Sequence, residues 1–151
     1  MRVDQILHAD PATLARDLAS AARAVGAHDW VRRLTEELER QSERDSLGRW
    51  LALWGISDAE AGRLFGVTRQ AVGKWRANGV PQDRLGVLAD LAATTDLLAA
   101  YLRHDRIAAV VRRPAELLGG RSMLDLVAEG RTAELLVATR RLFDLRRLDA
   151  A

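Results

Sequence analysis

The 151 residues carry 23 Lys and Arg against 21 Asp and Glu, a formal charge of +2, and 48% are hydrophobic, enough for one compact domain or two small helical ones sharing a core. Apolar runs are only a few residues long, far short of the ~18 needed for a membrane span, and the absence of cysteine excludes disulfides and thiolate zinc sites. No apolar stretch suited to a secretory signal follows Met1, so the expectation is a soluble, cytoplasmic protein.

Nearly every apolar cluster recurs at helical spacing and no sustained strand-like alternation is present, which predicts an all-α fold. Asp10 before Pro11 reads as a helix start, and Leu14, Leu18, Ala21, Ala22 and Val25 trace one face up to Gly26. A second helix, from about His28 to Arg44, places Trp30, Val31, Leu34 and Leu38 on one side, a stripe that needs a partner to cover it. The pattern restarts after Asp45 with Leu47, Trp50, Leu51 and Trp54, and Gly55 is placed to end that helix. We therefore expect an N-terminal helical extension over 1–45, a central domain over 46–104 and a C-terminal helical domain over 105–151.

Ser57 and Glu60 have the spacing of a capping box opening a short helix at Asp58, which stops at Gly66. Thr68 then caps a second helix, Arg69 to Asn78, ended by Asn78-Gly79. Two short helices joined by a tight glycine-containing turn match the helix-turn-helix layout. Small Ala61 and Gly62 allow close approach of the helices, Gly66 supplies the positive φ of the turn, and Phe65, Val67, Val72 and Trp75 form the shared core.

No acidic residue lies between Glu60 and Asp83, whereas Arg63, Arg69, Lys74 and Arg76 do. The second helix of such a unit enters the major groove of double-stranded DNA with its N-terminal residues at the base edges, here Arg69, Gln70, Gly73 and Lys74. Arg or Lys can donate to guanine, Gln can pair with adenine, and Thr68 can bond a phosphate at the helix N-terminus. Gly73 inside a helix reads either as close approach to DNA or as a tolerated surface glycine. Arg76 is either a phosphate contact or a solvated cation.

Beyond the turn, Pro81 opens a helical region through Arg103 with Leu85, Leu88, Leu91, Leu98 and Leu102 inward, which Thr94, Thr95 and Asp96 could divide. Gly119, Gly120 and Gly130 punctuate further helices near 105–113, 122–129 and 131–148. His8, His28 and His104 are scattered without a second ligand at i+3 or i+4, so no metal is expected. Gly119-Gly120 follows no strand and lacks the G-K-[ST] completion of a phosphate loop. No isolated carboxylate pair suggests acid–base chemistry, so neither a cofactor nor an enzymatic activity is expected.

Two stretches, SDAEAGRLFGVTRQAVGKWRANGVP and RRPAELLGGRSMLDLVAEGRTAELLVATRRLF, resemble the Xre/MbcA/ParS group of bacterial antitoxins, from Ile56 to about Leu145. The resemblance implies an Xre-like helix-turn-helix that represses its own operator, followed by a helical domain that covers the active site of a RES-type toxin, an NAD-consuming enzyme. Carried to matching positions, toxin binding falls on Gly119, Gly120, Arg121, the Gly130-Arg131 turn, and Arg140 and Arg141. The residues alone allow core packing for Leu117, Leu118, Leu124, Leu126, Leu135, Leu136, Leu142 and Phe143, leaving the arginines over. The extension over 1–45, absent from the shortest members, serves dimerisation or covers the core. Paired half-sites on DNA lead us to expect at least a homodimer. The alternative is a helix-turn-helix transcription regulator without a toxin.

Overall fold

The structure, a computed structural model, describes residues 10–24 and 28–149. The expected all-α class is borne out, and no strand is present among the described residues. Among the described residues eight helices follow in order: α1 (Pro11–Ala24), α2 (His28–Trp54), α3 (Asp58–Phe65), α4 (Arg69–Asn78), α5 (Leu85–Tyr101), α6 (His104–Val110), α7 (Met123–Ala128) and α8 (Thr132–Asp149). Single 3-10 turns lie at Gln82–Arg84 and Glu116–Leu118. Val25 and Gly26, read as the end of the first helix, lie outside the described residues, as does His8.

The chain divides into two compact units, residues 1–39 and 40–151. The helix break expected near Asp45 is absent, because α2 runs unbroken from His28 to Trp54. Nothing in its interior stops it: neither proline nor positive φ occurs before Gly55, where φ is 62°.

In the first unit Asp10 caps α1 as expected, its carboxylate accepting from the Thr13 backbone N–H at 3.1 Å. In α2, Arg32 pairs with Asp29 at 3.1 Å and with Glu36 at 3.4 Å, consistent with the i, i+3 and i, i+4 geometry of a solvated helix face. The apolar stripe stays at the surface: Trp30 is 52% exposed, Leu34 37% and Leu38 58%.

The second unit holds the core. Leu47, Trp50, Leu51 and Trp54 are buried along the C-terminal half of α2. Their aromatic rings begin a chain of edge-on contacts: Trp50 lies 5.8 Å from Trp54 and 5.5 Å from Phe65, which lies 5.5 Å from Trp75. α5 packs along α8, and the stacked rings of Tyr101 and Phe143, 4.3 Å apart, close one end of that pairing.

Thr94, Thr95 and Asp96 do not divide α5. The two threonine hydroxyls donate to the carbonyls of Asp90 and Leu91 at 2.8 and 2.7 Å, satisfying themselves within the helix so that both residues are buried without cost to the core. Between the helices, the Thr132 hydroxyl opening α8 donates to Asp90 Oδ2 on α5 at 2.8 Å. This cross-link joins residues that the apolar pattern alone leaves unrelated.

Candidate functional site

The segment expected to carry recognition folds as its residues require. Ser57 caps α3 by accepting from the Glu60 N–H at 3.2 Å, and Gly66 turns the chain at φ 66°. Thr68 caps α4, its hydroxyl accepting from the Ala71 N–H at 3.1 Å. Gly62 is buried under the turn, and a Cβ there would stand 2.8 Å from the Val67 carbonyl oxygen and 3.3 Å from the Arg69 nitrogen. Only glycine fits that spot without moving backbone.

The capping box expected at Ser57 and Glu60 forms only by half. The Glu60 carboxylate instead accepts from Arg112 Nη2 at 3.2 Å, because a guanidinium offers a charged partner that a backbone amide does not. Arg112 also donates to the carbonyls of Trp54 at 2.7 Å, Ala108 at 3.0 Å and Gly55 at 3.0 Å. One side chain thus satisfies the carboxyl end of α2 and grips α3 from just beyond the end of α6. No sequence signal singled it out, since an arginine near a helix end is ordinarily solvated.

Val72 and Trp75 of α4 face inward, at 0% and 8% exposure, so Trp75 belongs to the core as read. Arg69, Gln70 and Lys74 are exposed on the opposite side. Gly73 lies between them, and an added Cβ would meet nothing within 4 Å, so no intramolecular packing demands a glycine there. Arg69 and Arg76, seven positions apart on one face, line an open groove of about 420 Å³ with Ile56, Ser57, Asp58 and Ala59. Arg76 is not simply solvated: its Nη1 pairs with Asp58 Oδ1 at 3.0 Å.

The second candidate cluster surrounds α7. Gly119 and Gly120 take φ of 66° and 78° in a small loop closed by Ala115 and Arg121, which form an isolated bridge. Arg121 donates to Glu129 Oε2 at 2.8 Å, Arg131 to the same oxygen at 3.0 Å, and Arg131 also forks onto Glu134 at 2.6–2.9 Å. The Arg131 hydrogen bond foremost, aided by the Arg121 charge, holds the Glu129 carboxyl below its ordinary pKa, and Glu134 and Glu129 in turn favour the charged form of Arg131.

Arg121, Gly130 and Arg131 are therefore brought together around Glu129, whereas exposed Arg140 and Arg141 sit roughly 14 Å farther along α8, at 1.5 Å per residue. Ser122 and Asp125 form a reciprocal capping box at the start of α7, at 2.8 and 3.1 Å, and the Ser122 backbone and hydroxyl bonds lower the Asp125 pKa. Its S-x-x-D spacing is a signal that the sequence carries. Leu117, for which the sequence allows core packing, is instead 48% exposed, because the 3-10 turn directs Leu118 inward and leaves its neighbour at the surface.

No protein-family model and no curated protein matches the chain. Among solved structures, a chain in the crystal structure of the M. tuberculosis MbcT-MbcA toxin-antitoxin complex matches with a TM-score of 0.53 and 25% identity, over 64% of this chain and 89% of that one. The chain resembles an MbcA-type antitoxin. The family resemblance read from the sequence is borne out by this match. No helix among the described residues is long and apolar enough to cross a membrane, and none of their His, Asp and Glu side chains gather into a metal-binding group.

Proposed function

We propose that this protein is the antitoxin of a toxin–antitoxin pair and acts as a binding protein rather than an enzyme. The observation that carries the reading is its likeness to a chain of a toxin–antitoxin complex. The toxin-binding part is residues 105–151, with Gly119, Gly120, Arg121, Gly130, Arg131, Arg140 and Arg141 as the surface. The partner is a RES-type NAD-consuming toxin in the cytoplasm. Exposed Leu117 and Val137 supply the apolar contact that an arginine surface needs to hold a partner. Arg121 and Arg131, already paired with Glu129, offer a fixed edge, while Arg140 and Arg141 offer charge.

Cells expressing the adjacent open reading frame should stop growing and should recover when this protein is supplied. The double substitution R140E/R141E is expected to abolish recovery while leaving the fold intact, both side chains being exposed. A harmless neighbouring gene, or recovery that survives both the charge reversal and deletion of 105–151, would return the protein to the class of transcription regulators without a toxin.

The same chain binds its operator through the 46–104 part, with Thr68, Arg69, Gln70, Gly73, Lys74 and Arg76 at the DNA, and does so as a homodimer on paired half-sites. Support comes from the exposed Arg69, Gln70 and Lys74 and from the unoccupied space around Gly73. Replacing Arg69 or Gln70 by Ala should cost about 1–3 kcal/mol and relax preference at individual base pairs, measured by titrating single-base operator variants. Equal loss across all variants would show that these residues do not read bases.

A further inference from the structure

Asp58 is an acidic side chain set into the face that the reading above turns toward DNA, and its carboxylate is only 26% exposed. It lies in the groove that Arg69 and Arg76 line, and Arg76 reaches it at 3.0 Å. No acidic residue occurs from 61 to 82, and Glu60 is taken by Arg112, so the Asp58 carboxylate is the one paired with a cation of the recognition helix. At the first position of α3 it also favours the helix N-terminus, which explains its tolerance there and not its pairing with a residue eighteen positions away.

We propose that Asp58 is a positioning residue that sequesters Arg76, so that this carboxylate and the DNA phosphates compete for one guanidinium and together limit the affinity and salt sensitivity of the DNA face. The inference rests on the DNA-binding reading. The pair lies at the surface, its arginine half exposed, so the competition is reversible: a phosphate can take Arg76 at a modest cost. Neutralising the carboxylate removes that cost, and also removes a charge that repels the phosphate backbone.

Binding of the full-length protein to a duplex carrying the sequence upstream of its own gene, followed by fluorescence anisotropy between about 50 and about 200 mM salt, tests this. D58N should bind roughly three- to tenfold more tightly than the natural protein, with a salt slope steeper by about one counterion. R76Q should itself weaken binding and flatten the salt slope, and should erase the gain in the D58N background. That coupling and the altered slope are readouts that a purely structural role for Asp58 does not move, and D58E, which keeps the charge, should restore natural affinity. Unchanged or weaker binding by D58N with an undiminished thermal midpoint overturns the inference alone. If the natural protein shows no salt-dependent binding to the upstream duplex or to random-sequence duplex, the DNA-binding reading falls and this inference with it.

Discussion

Gly62→Ala should lower the thermal midpoint while Gly73→Ala raises it, although both exchange a helical glycine for the best helix former. Helix propensity favours Ala at either site by about 0.8–1 kcal/mol. At Gly73 an added Cβ meets nothing within 4 Å, so that gain is realised in full. At Gly62 the Cβ falls 2.8 Å from the Val67 carbonyl oxygen, which belongs to backbone and has no rotamer to yield. The Val67 N–H meanwhile donates to the Gly62 carbonyl at 2.8 Å, pinning the turn from the other side.

Relief at Gly62 thus demands separation of α3 from α4, with a cost of overpacking of about 1–3 kcal/mol or more. At about 2–4 °C per kcal/mol for a chain of this size, the two variants should straddle the natural protein by several degrees. Gly62→Ala should also lose DNA affinity, because α4 is held to the body of the protein through this contact. Gly73→Ala separates stability from function: a more stable protein with weakened DNA binding places that position against the DNA. Unaltered binding would mark it as a tolerated surface glycine. Calorimetry and anisotropy on the same samples decide both points.

What the sequence made legible follows from how local each interaction is. The caps at Asp10, Ser57 and Thr68, the turn at Gly66 and the inward Trp75 depend on neighbours within four or five positions, where residue type and spacing carry the information. The continuity of α2 through Asp45 was missed because a change in hydrophobic pattern was read as a break, whereas a helix can change the face it buries without ending. That Leu117 stays outside the core was not legible, because adjacent leucines in a 3-10 turn do not both face inward and the pattern does not say which one does. The distant partners of Arg76, Arg112 and Thr132 lie eighteen to fifty-eight positions away, and no periodicity announces such pairings. For the candidate toxin surface, the arginines were legible as residues left over from packing. That Arg121 and Arg131 share Glu129 was not, since the sharing depends on how the α7–α8 turn folds.

Arg112→Met should be the most damaging single substitution of a polar side chain outside the core. Its guanidinium reaches the Trp54 and Gly55 carbonyls at 2.7 and 3.0 Å, main-chain acceptors at the carboxyl end of α2 that lack helical partners. A cation there also meets the negative end of the helix dipole. Hydrogen bonds to a charged donor contribute about 1.5–3 kcal/mol, but the side chain is 37% exposed, so water replaces part of what is lost. We therefore expect a net loss of about 2 kcal/mol in urea unfolding.

Lysine restores the charge but not the fork, and should recover less than half of that loss, because its single ammonium cannot serve the two carbonyls and the Glu60 carboxylate together. Glu60→Gln in the Met background should add little, its partner already gone, and this non-additivity identifies the contact as one unit. Since Arg112 joins the segment beginning at α6 to both α2 and α3, its removal should also loosen α3, and amide exchange there should accelerate more than in α5. Stability within about 0.5 kcal/mol of the natural protein would mean that solvent serves those carbonyls as well as the guanidinium does, and that the aromatic chain from Trp54 to Trp75 is what fixes α3 in place.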